Sequence, residues 1–366
     1  MRRGRWGRAV LATVCTVLGF VGVPAAARAE SAGATVGYAV FDRSTNVFTA
    51  QSNATMRFRS ASVVKLLIAL DYLWDRGTPA VADRSALDAM LRSSDDDAAS
   101  DFWTRGGSGS IVDRMVARLG LQNTAPPPTA HDGFWGYTAL SPADTVRIYR
   151  YILDTAPATV RDYVMGQLRQ STRCSSDHFD QSFGIRSAFT SAWAVKQGWS
   201  GFGKRGDCDG SPADPTSTTP GFEIPGLDLV RPALHTTGTV GAGDRSIVAV
   251  FTLQPVGTPF GTASDTLTAA TRALAVPGAT PVNGAWFGTW GTRVKVRAAP
   301  STSAAVVGVL PAGIDVAVRC QKAGQLVQVD GYQNEWWAYL PERGGYMTNI
   351  YISSPDNKLP GVADCP

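Results

Sequence analysis

The chain has 366 residues, 44% of them hydrophobic, and a formal net charge of +4. The positive charge lies in a leader: Met1 to Ala29 holds five arginines and no acid, so the remainder has 29 basic against 30 acidic residues. That balance removes any charge-based case for nucleic acid or a membrane surface, and about 337 residues suffice for one large domain and a small one.

The leader reads as a secretory signal. Arg2, Arg3, Arg5 and Arg8 precede an apolar run from Ala9 to Val23, and Ala27-Arg28-Ala29 forms a small-residue cleavage site. The run is too short to span a bilayer. Cys15 lies inside it without a Leu-Ala-Gly before it, so no lipid anchor is expected and the mature chain is placed outside the cell. Cys174, Cys208, Cys320 and Cys365 remain, an even number in an exported chain, which predicts two disulfides among three possible pairings.

Ala34 to Ser52 reads as a two-stranded hairpin, with turn residues Asp42, Ser44, Thr45 and Asn46 between apolar runs. It leads into Phe58 to Trp74, a stretch hydrophobic nearly all round and therefore a buried central helix. Ser62 and Lys65 share one face of it. A lysine desolvated among apolar side chains has a lowered pKa and, when neutral, can take the proton of a serine hydroxyl. The alternative is an N-cap serine beside a lysine that snorkels outward.

A helix near Asp83 to Leu91 follows, then Ser93-Ser94-Asp95-Asp96-Asp97, a loop whose plain reading is the N-cap of the next helix. Ser110 to Leu119, Ser141 to Thr155 (Ser141 as N-cap, Pro142 at N1) and Thr159 to Leu168 read as helices. Between the first two of these runs an irregular loop, Leu121 to Leu140, with His131 and Asp132. Ala192 to Trp199, Leu234 to Val240 and Ser246 to Leu253 read as strands, and Ser264 to Leu274 as a last helix. No metal-ligand or cofactor motif is present in this reading.

Taken together, Ser62-Val63-Val64-Lys65, Ser94-Asp95-Asp96 and Lys196-Gln197-Gly198, in this order of elements, resemble the three motifs of the penicillin-recognising serine hydrolases, and within them the class A β-lactamase-like domain, over Glu30 to Val276. The resemblance implies an α+β fold, an antiparallel sheet packed with helices plus an all-helical part. It implies Ser62 as nucleophile, Lys65 as its base, Ser94 as proton relay and Lys196 as charge for a substrate carboxylate, acting on a β-lactam or D-alanyl peptide without a cofactor. Asp96, Gln197, Gly198 and Trp199 would contact substrate, the last through its backbone N–H in an oxyanion hole with Ser62. His235 has two readings, a residue that lines the site or a satisfied structural histidine, and His178 carries no signal. Asp96 stands where the family has an amide, and Gln197 where it has a hydroxyl. The four glutamates, Glu30, Glu223, Glu335 and Glu342, all lie outside Ser62 to Lys196, where that family carries its deacylating base. His131 and Asp132 are the remaining candidates for that task. Slow release of an acyl-enzyme is expected, with two alternatives: a β-lactamase using another base, or a decayed wall-binding protein.

Pro277 to Gly288 reads as a linker rich in Pro, Gly and Ala. Beyond it, short strands, the run Val296-Arg297-Ala298-Ala299-Pro300-Ser301, Gly313 and a late Gly-Gly-Tyr strand resemble a bacterial SH3-like domain over 289–366, a small all-β barrel that by analogy implies peptidoglycan as partner. Trp336, Trp337, Tyr339 and Tyr346 are divided between core and groove. With this division the within-domain pairings Cys174–Cys208 and Cys320–Cys365 are expected.

Overall fold

A computed structural model describes residues 33–208, 212–216, 220–310 and 314–366. The leader and Gly313 lie outside them. The hairpin forms as β1 (Thr35–Asp42) and β2 (Val47–Ser52), turning at Asn46 with a positive φ of 58°. Next come β3 (Phe58–Arg59), a 3-10 turn over Ala61–Val64, and α1 (Lys65–Leu73). The helical part follows: α2 (Arg84–Arg92), α3 (Asp96–Arg105) and α4 (Ser110–Leu119), then β4 (Ala139–Leu140), α5 (Pro142–Asp154) and α6 (Ala158–Arg169). A short α7 (Ile185–Ala188) precedes β5 (Trp193–Ser200), β6 (Ala233–Val240), β7 (Ser246–Leu253) and α8 (Phe260–Arg272).

The sheet is antiparallel with order β2-β1-β7-β6-β5, which puts β5 at an edge. Strand alternation sends one set of side chains to each face. Ala39, Phe41, Ala249 and Phe251 join the core made with α1 to α6, whereas Val40, Val248 and Val250 join a second core with α7 and α8. Both faces are therefore covered, and every residue of β6 and β7 is buried. Within the helical part α1 is central: Leu66, Leu67, Ile68, Ala69 and Leu70 are all buried, as expected of a helix apolar all round. Ser141 caps α5 by accepting from the Asp144 N–H at 3.1 Å, with Pro142 in the first turn.

The C-terminal strands are β8 (Ala285–Gly288), β9 (Val294–Arg297), β10 (Val306–Leu310), β11 (Asp315–Val318), β12 (Cys320–Val329), β13 (Tyr332–Leu340) and β14 (Gly345–Thr348). Five of them form an antiparallel sheet of order β10-β9-β14-β13-β12, β8 pairs with β11, and Val296, Leu310, Val316, Leu340 and Met347 fill a separate core. Ala285 to Gly288, linker by composition, are thus a strand of this unit. Of its four aromatic candidates only Trp337 is fully buried, its indole donating to the Gln325 carbonyl at 2.9 Å; Trp336, Tyr339 and Tyr346 are half-buried beneath Lys358, Arg319 and Lys322. Disulfides join Cys174 to Cys208 and Cys320 to Cys365, the expected pairing. Among the described residues no helix is long and apolar enough to cross a membrane.

Candidate active site

Three elements meet at Ser62. β3 brings the chain in, pairing Arg59 with Ala139 and donating the Ser60 N–H to the Thr138 carbonyl at 2.8 Å, so the end of the Leu121 to Leu140 loop holds the entry to the turn. Ala61 takes a positive φ of 46°, a conformation costly for a residue with a Cβ and retained only where its surroundings dictate it. Ser62 then sits in the 3-10 turn, one turn ahead of Lys65, whose backbone N–H bonds to the Ser62 carbonyl. Beneath the turn Arg59 is 1% exposed and donates to the carbonyls of Leu229, Ser200 and Arg231, tying β3 to the end of β5 and to the segment before β6.

The second element is the loop between α2 and α3. Asp95 caps α3 by accepting from the Ala98 N–H at 2.8 Å, the plain reading of this stretch. The same loop also turns Ser94, at φ 58°, toward Lys65. The fully buried Lys65 Nζ donates to the Ser94 carbonyl at 2.6 Å and to Asp96 Oδ1 at 2.5 Å, and lies 3.3 Å from Ser94 Oγ and 4.7 Å from the centre of the Trp135 ring. The third element is β5, from which Lys196 Nζ donates to Ser94 Oγ at 2.7 Å. One hydroxyl thus faces two ammonium groups; it can accept from both and still donate its own proton.

Burial sets the electrostatics. It lowers the pKa of Lys65, against the opposing pull of the Asp96 carboxylate, and lowers that of Lys196 well below the usual lysine range, with the Lys65 charge acting in the same sense. Asp177 is raised by burial while accepting from Ser175 Oγ and from the Trp199 indole at 3.0 Å, and its charge acts on both lysines. As an edge strand, β5 has one row of backbone groups without a sheet partner. At Gly198 a Cβ would stand 3.0 Å from Val63 Cγ2, 3.1 Å from the Ser60 carbonyl oxygen and 3.3 Å from the Ser62 nitrogen, so a glycine lets that row approach the turn.

Hydrogen bonds join Lys65, Ser94, Asp96 and Lys196, with Ser62 and Gly198 on the adjoining turn and strand, but two expectations, for Gln197 and His235, need correction. Gln197 does not face this side: its fully buried amide donates to the Gln181 and Phe183 carbonyls, because strand alternation turns it away from Lys196. His235 is structural and fully buried, bonded to the Arg59 carbonyl at 2.9 Å, accepting from the Thr252 N–H at 3.3 Å and stacked on Phe251; burial lowers its pKa to about 4. Asp96, expected to contact substrate, is the ion-pair partner of Lys65. In the Leu121 to Leu140 loop, His131 stacks on Phe222, the Asp132 carbonyl accepts from Trp103, and among the described residues neither bonds to the side chains of Ser62, Lys65, Ser94 or Lys196. Trp135 occupies the site instead. Arg59, Trp135 and Asp177 carried no motif; the only sequence signal for Asp177 was its place inside the Cys174 to Cys208 loop around β5.

A mycobacterial protein named "Putative lipoprotein LppW" from Mycobacterium tuberculosis is 34% identical to this chain over 255 residues, 67% of this chain and 71% of the relative. The chain belongs to the LppW family. The same protein from Mycobacterium bovis matches to the same extent, and no established family profile matches the sequence. Among solved structures, this chain is similar to a class A β-lactamase from Mycobacterium abscessus (TM-score 0.47, 18% identity, 66% of this chain and 92% of that one). It is likewise similar to an ancestral class A β-lactamase (0.48, 14%, 67% and 95%) and to a mutant of PBP-A as its acyl-enzyme with penicillin G (0.48, 16%, 66% and 89%).

Proposed function

We propose that this LppW-family chain is an exported serine hydrolase that forms an acyl-enzyme at Ser62 with β-lactam or D-alanyl-peptide amides and releases it slowly. One observation carries the reading: the Ser94 hydroxyl lies between Lys65 and Lys196 at 3.3 and 2.7 Å, beside the Ser62 turn. Burial favours neutral lysine, and neutral Lys65 takes the Ser62 proton as Oγ attacks the acyl carbonyl. The Ser62 and Trp199 backbone N–H groups receive the oxyanion. As the C–N bond breaks, the proton passes by way of Ser94 to the leaving nitrogen, while Lys196 attracts a substrate carboxylate. Hydrolysis of the ester needs a base for water, and losing one typically costs about 10²- to 10⁴-fold. No glutamate occupies the region between Ser62 and Lys196.

The leader, two disulfides and a relative named a lipoprotein support export. In this reading residues 30–276 form the hydrolase domain. The C-terminal unit, with its own sheet and core, serves as an SH3-like wall-attachment domain for peptidoglycan. The Lys65–Asp96 ion pair favours a second reading: a carboxylate on Lys65 opposes its deprotonation, so the site of a decayed wall-binding protein would bind without reacting. Mass spectrometry of the mature chain after exposure to penicillin G separates the readings. A lasting adduct, lost in Ser62→Ala, supports the hydrolase; no adduct with several β-lactams supports the binding protein, and fast turnover a β-lactamase with another base.

A further inference from the structure

A cavity of about 600 Å³ lies apart from Ser62, between α8 with the segments around Phe179 and Phe202 on one side and the C-terminal strands on the other. That volume is typical of small-molecule sites, which span about 300–1,000 Å³. Phe202, Phe260 and Trp286 give it apolar walls, and Asp265, Asp315 and Glu342 add three carboxyl groups. Two further carboxylates on the wall, Asp180 and Asp207, are already paired with Arg343 and Arg293. Asp265, Asp315 and Glu342 have no salt-bridge partner among the described residues. Among the described residues Asp265 Oδ1 accepts only the Asp315 N–H, at 2.9 Å, and Glu342 Oε2 is buried with no hydrogen-bond partner, although backbone groups of Ala317 and Glu342 bond to the same carboxyl group.

An acceptor left buried and unmatched costs about 1–3 kcal/mol. A ligand that brings a donor recovers it. Burial raises the pKa of both groups, that of Asp265 to about 6, against the opposing charges of Arg272 on Asp265 and Arg343 on Glu342.

We propose that this cavity binds a small apolar molecule carrying a primary ammonium group, an aryl- or alkylamine, with the ring or chain against Phe202, Phe260 and Trp286 and the nitrogen among Asp265, Asp315 and Glu342. The site is independent of the chemistry at Ser62. Because α8 belongs to one unit and β8, Asp315 and Glu342 to the other, the ligand joins the two.

Titration calorimetry of the full mature chain with benzylamine and its neutral isostere benzyl alcohol tests the assignment. Benzylamine binds more tightly by roughly tenfold, the value of one charge-assisted hydrogen bond. Glu342→Gln and Asp265→Asn each reduce that preference, while melting temperature reports that each variant is folded. Equal affinity for the two probes, no binding of either, or a preference unchanged in both variants would overturn the proposal.

Discussion

The two five-stranded sheets of this chain bury polar groups of different kinds. Around the first, Arg59, Lys65, Lys196, Asp144 and His235 are all fully or almost fully buried; in the second unit, among the described residues, those buried to this degree are Thr289, Gln321, Asn334, Thr348 and Asn349, amides and hydroxyls, while Glu342 buries one carboxyl oxygen at its boundary with the first. Gln321 shows what a neutral amide does there. Its Nε2 donates to the Leu359 and Val362 carbonyls and its Oε1 accepts from the Leu359 N–H and Asn349 Nδ2, so one side chain fastens the C-terminal tail. A buried amide can be satisfied completely at little cost, whereas a buried ammonium costs several kcal/mol even when paired. The first unit keeps two such groups within reach of one hydroxyl, a placement that stability alone would not select.

Exchanging a buried lysine for an apolar isostere is the hardest test of that contrast. Lys65→Met removes the proposed base and the desolvated charge together. Acylation of Ser62 by penicillin is expected to slow by about 10²- to 10⁴-fold, while the melting temperature holds or rises, because replacing a buried ion by a packed apolar group is often neutral or stabilising. A large fall in stability with the acylation rate intact would assign Lys65 a structural role and break the comparison.

Acid should weaken the first unit before the second. His235 has a native pKa of about 4 against an ordinary value near 6.5, so in that interval the unfolded chain binds a proton that the folded chain refuses. Stability therefore falls as pH drops from about 6.5 and levels off below about 4, by about 3 kcal/mol in all. Denaturant melts at pH 7 and pH 4 measure it, and His235→Gln should flatten the dependence. In the second unit Gln321→Ala strands the Leu359 N–H and leaves Asn349 Nδ2 with the Asn357 carbonyl alone; a loss of about 1–3 kcal/mol is expected, with acylation of Ser62 unchanged. A change in the acylation rate would couple the two units more tightly than their separate cores imply.

Periodicity and composition made the elements legible: α1 from its apolar run, Ser141 from its capping pattern, the edges of β6 and β7 from their apolar residues, and the disulfides from the requirement that each stay within one unit. Side-chain direction was less so. Gln197 turns away because the 181–183 segment lies behind β5, and His235 is enclosed because Arg59 and Phe251 close over it; neither neighbour is close in sequence. Asp177 reaches the lysines through a loop held by a disulfide and by Trp199, a route no local pattern encodes. The boundary at β8 was hidden for a similar reason, since Ala285 to Gly288 become a strand only when β11 arrives 30 residues later.

The smallest change concerns Asp96, the one carboxylate bonded to Lys65. Its charge favours the ammonium form and opposes the effect of burial, so Asp96→Asn should lower the Lys65 pKa further and move the rise of acylation rate to lower pH. Asp96 is 59% exposed, and water screens its charge. The gain near neutral pH should therefore be modest, roughly three- to tenfold in acylation rate. Stopped-flow acylation across pH 6 to 10 measures the shift. An unmoved profile would separate the ion pair from control of Lys65. Decay of the adduct supplies the second reading of the same variant, because an exposed carboxylate bonded to Lys65 can also meet water. If the Asp96→Asn adduct forms faster but persists longer than the wild-type adduct, Asp96 is the release base missing from the glutamate-free stretch between Ser62 and Lys196, and the contact that restrains acylation is the one that ends it.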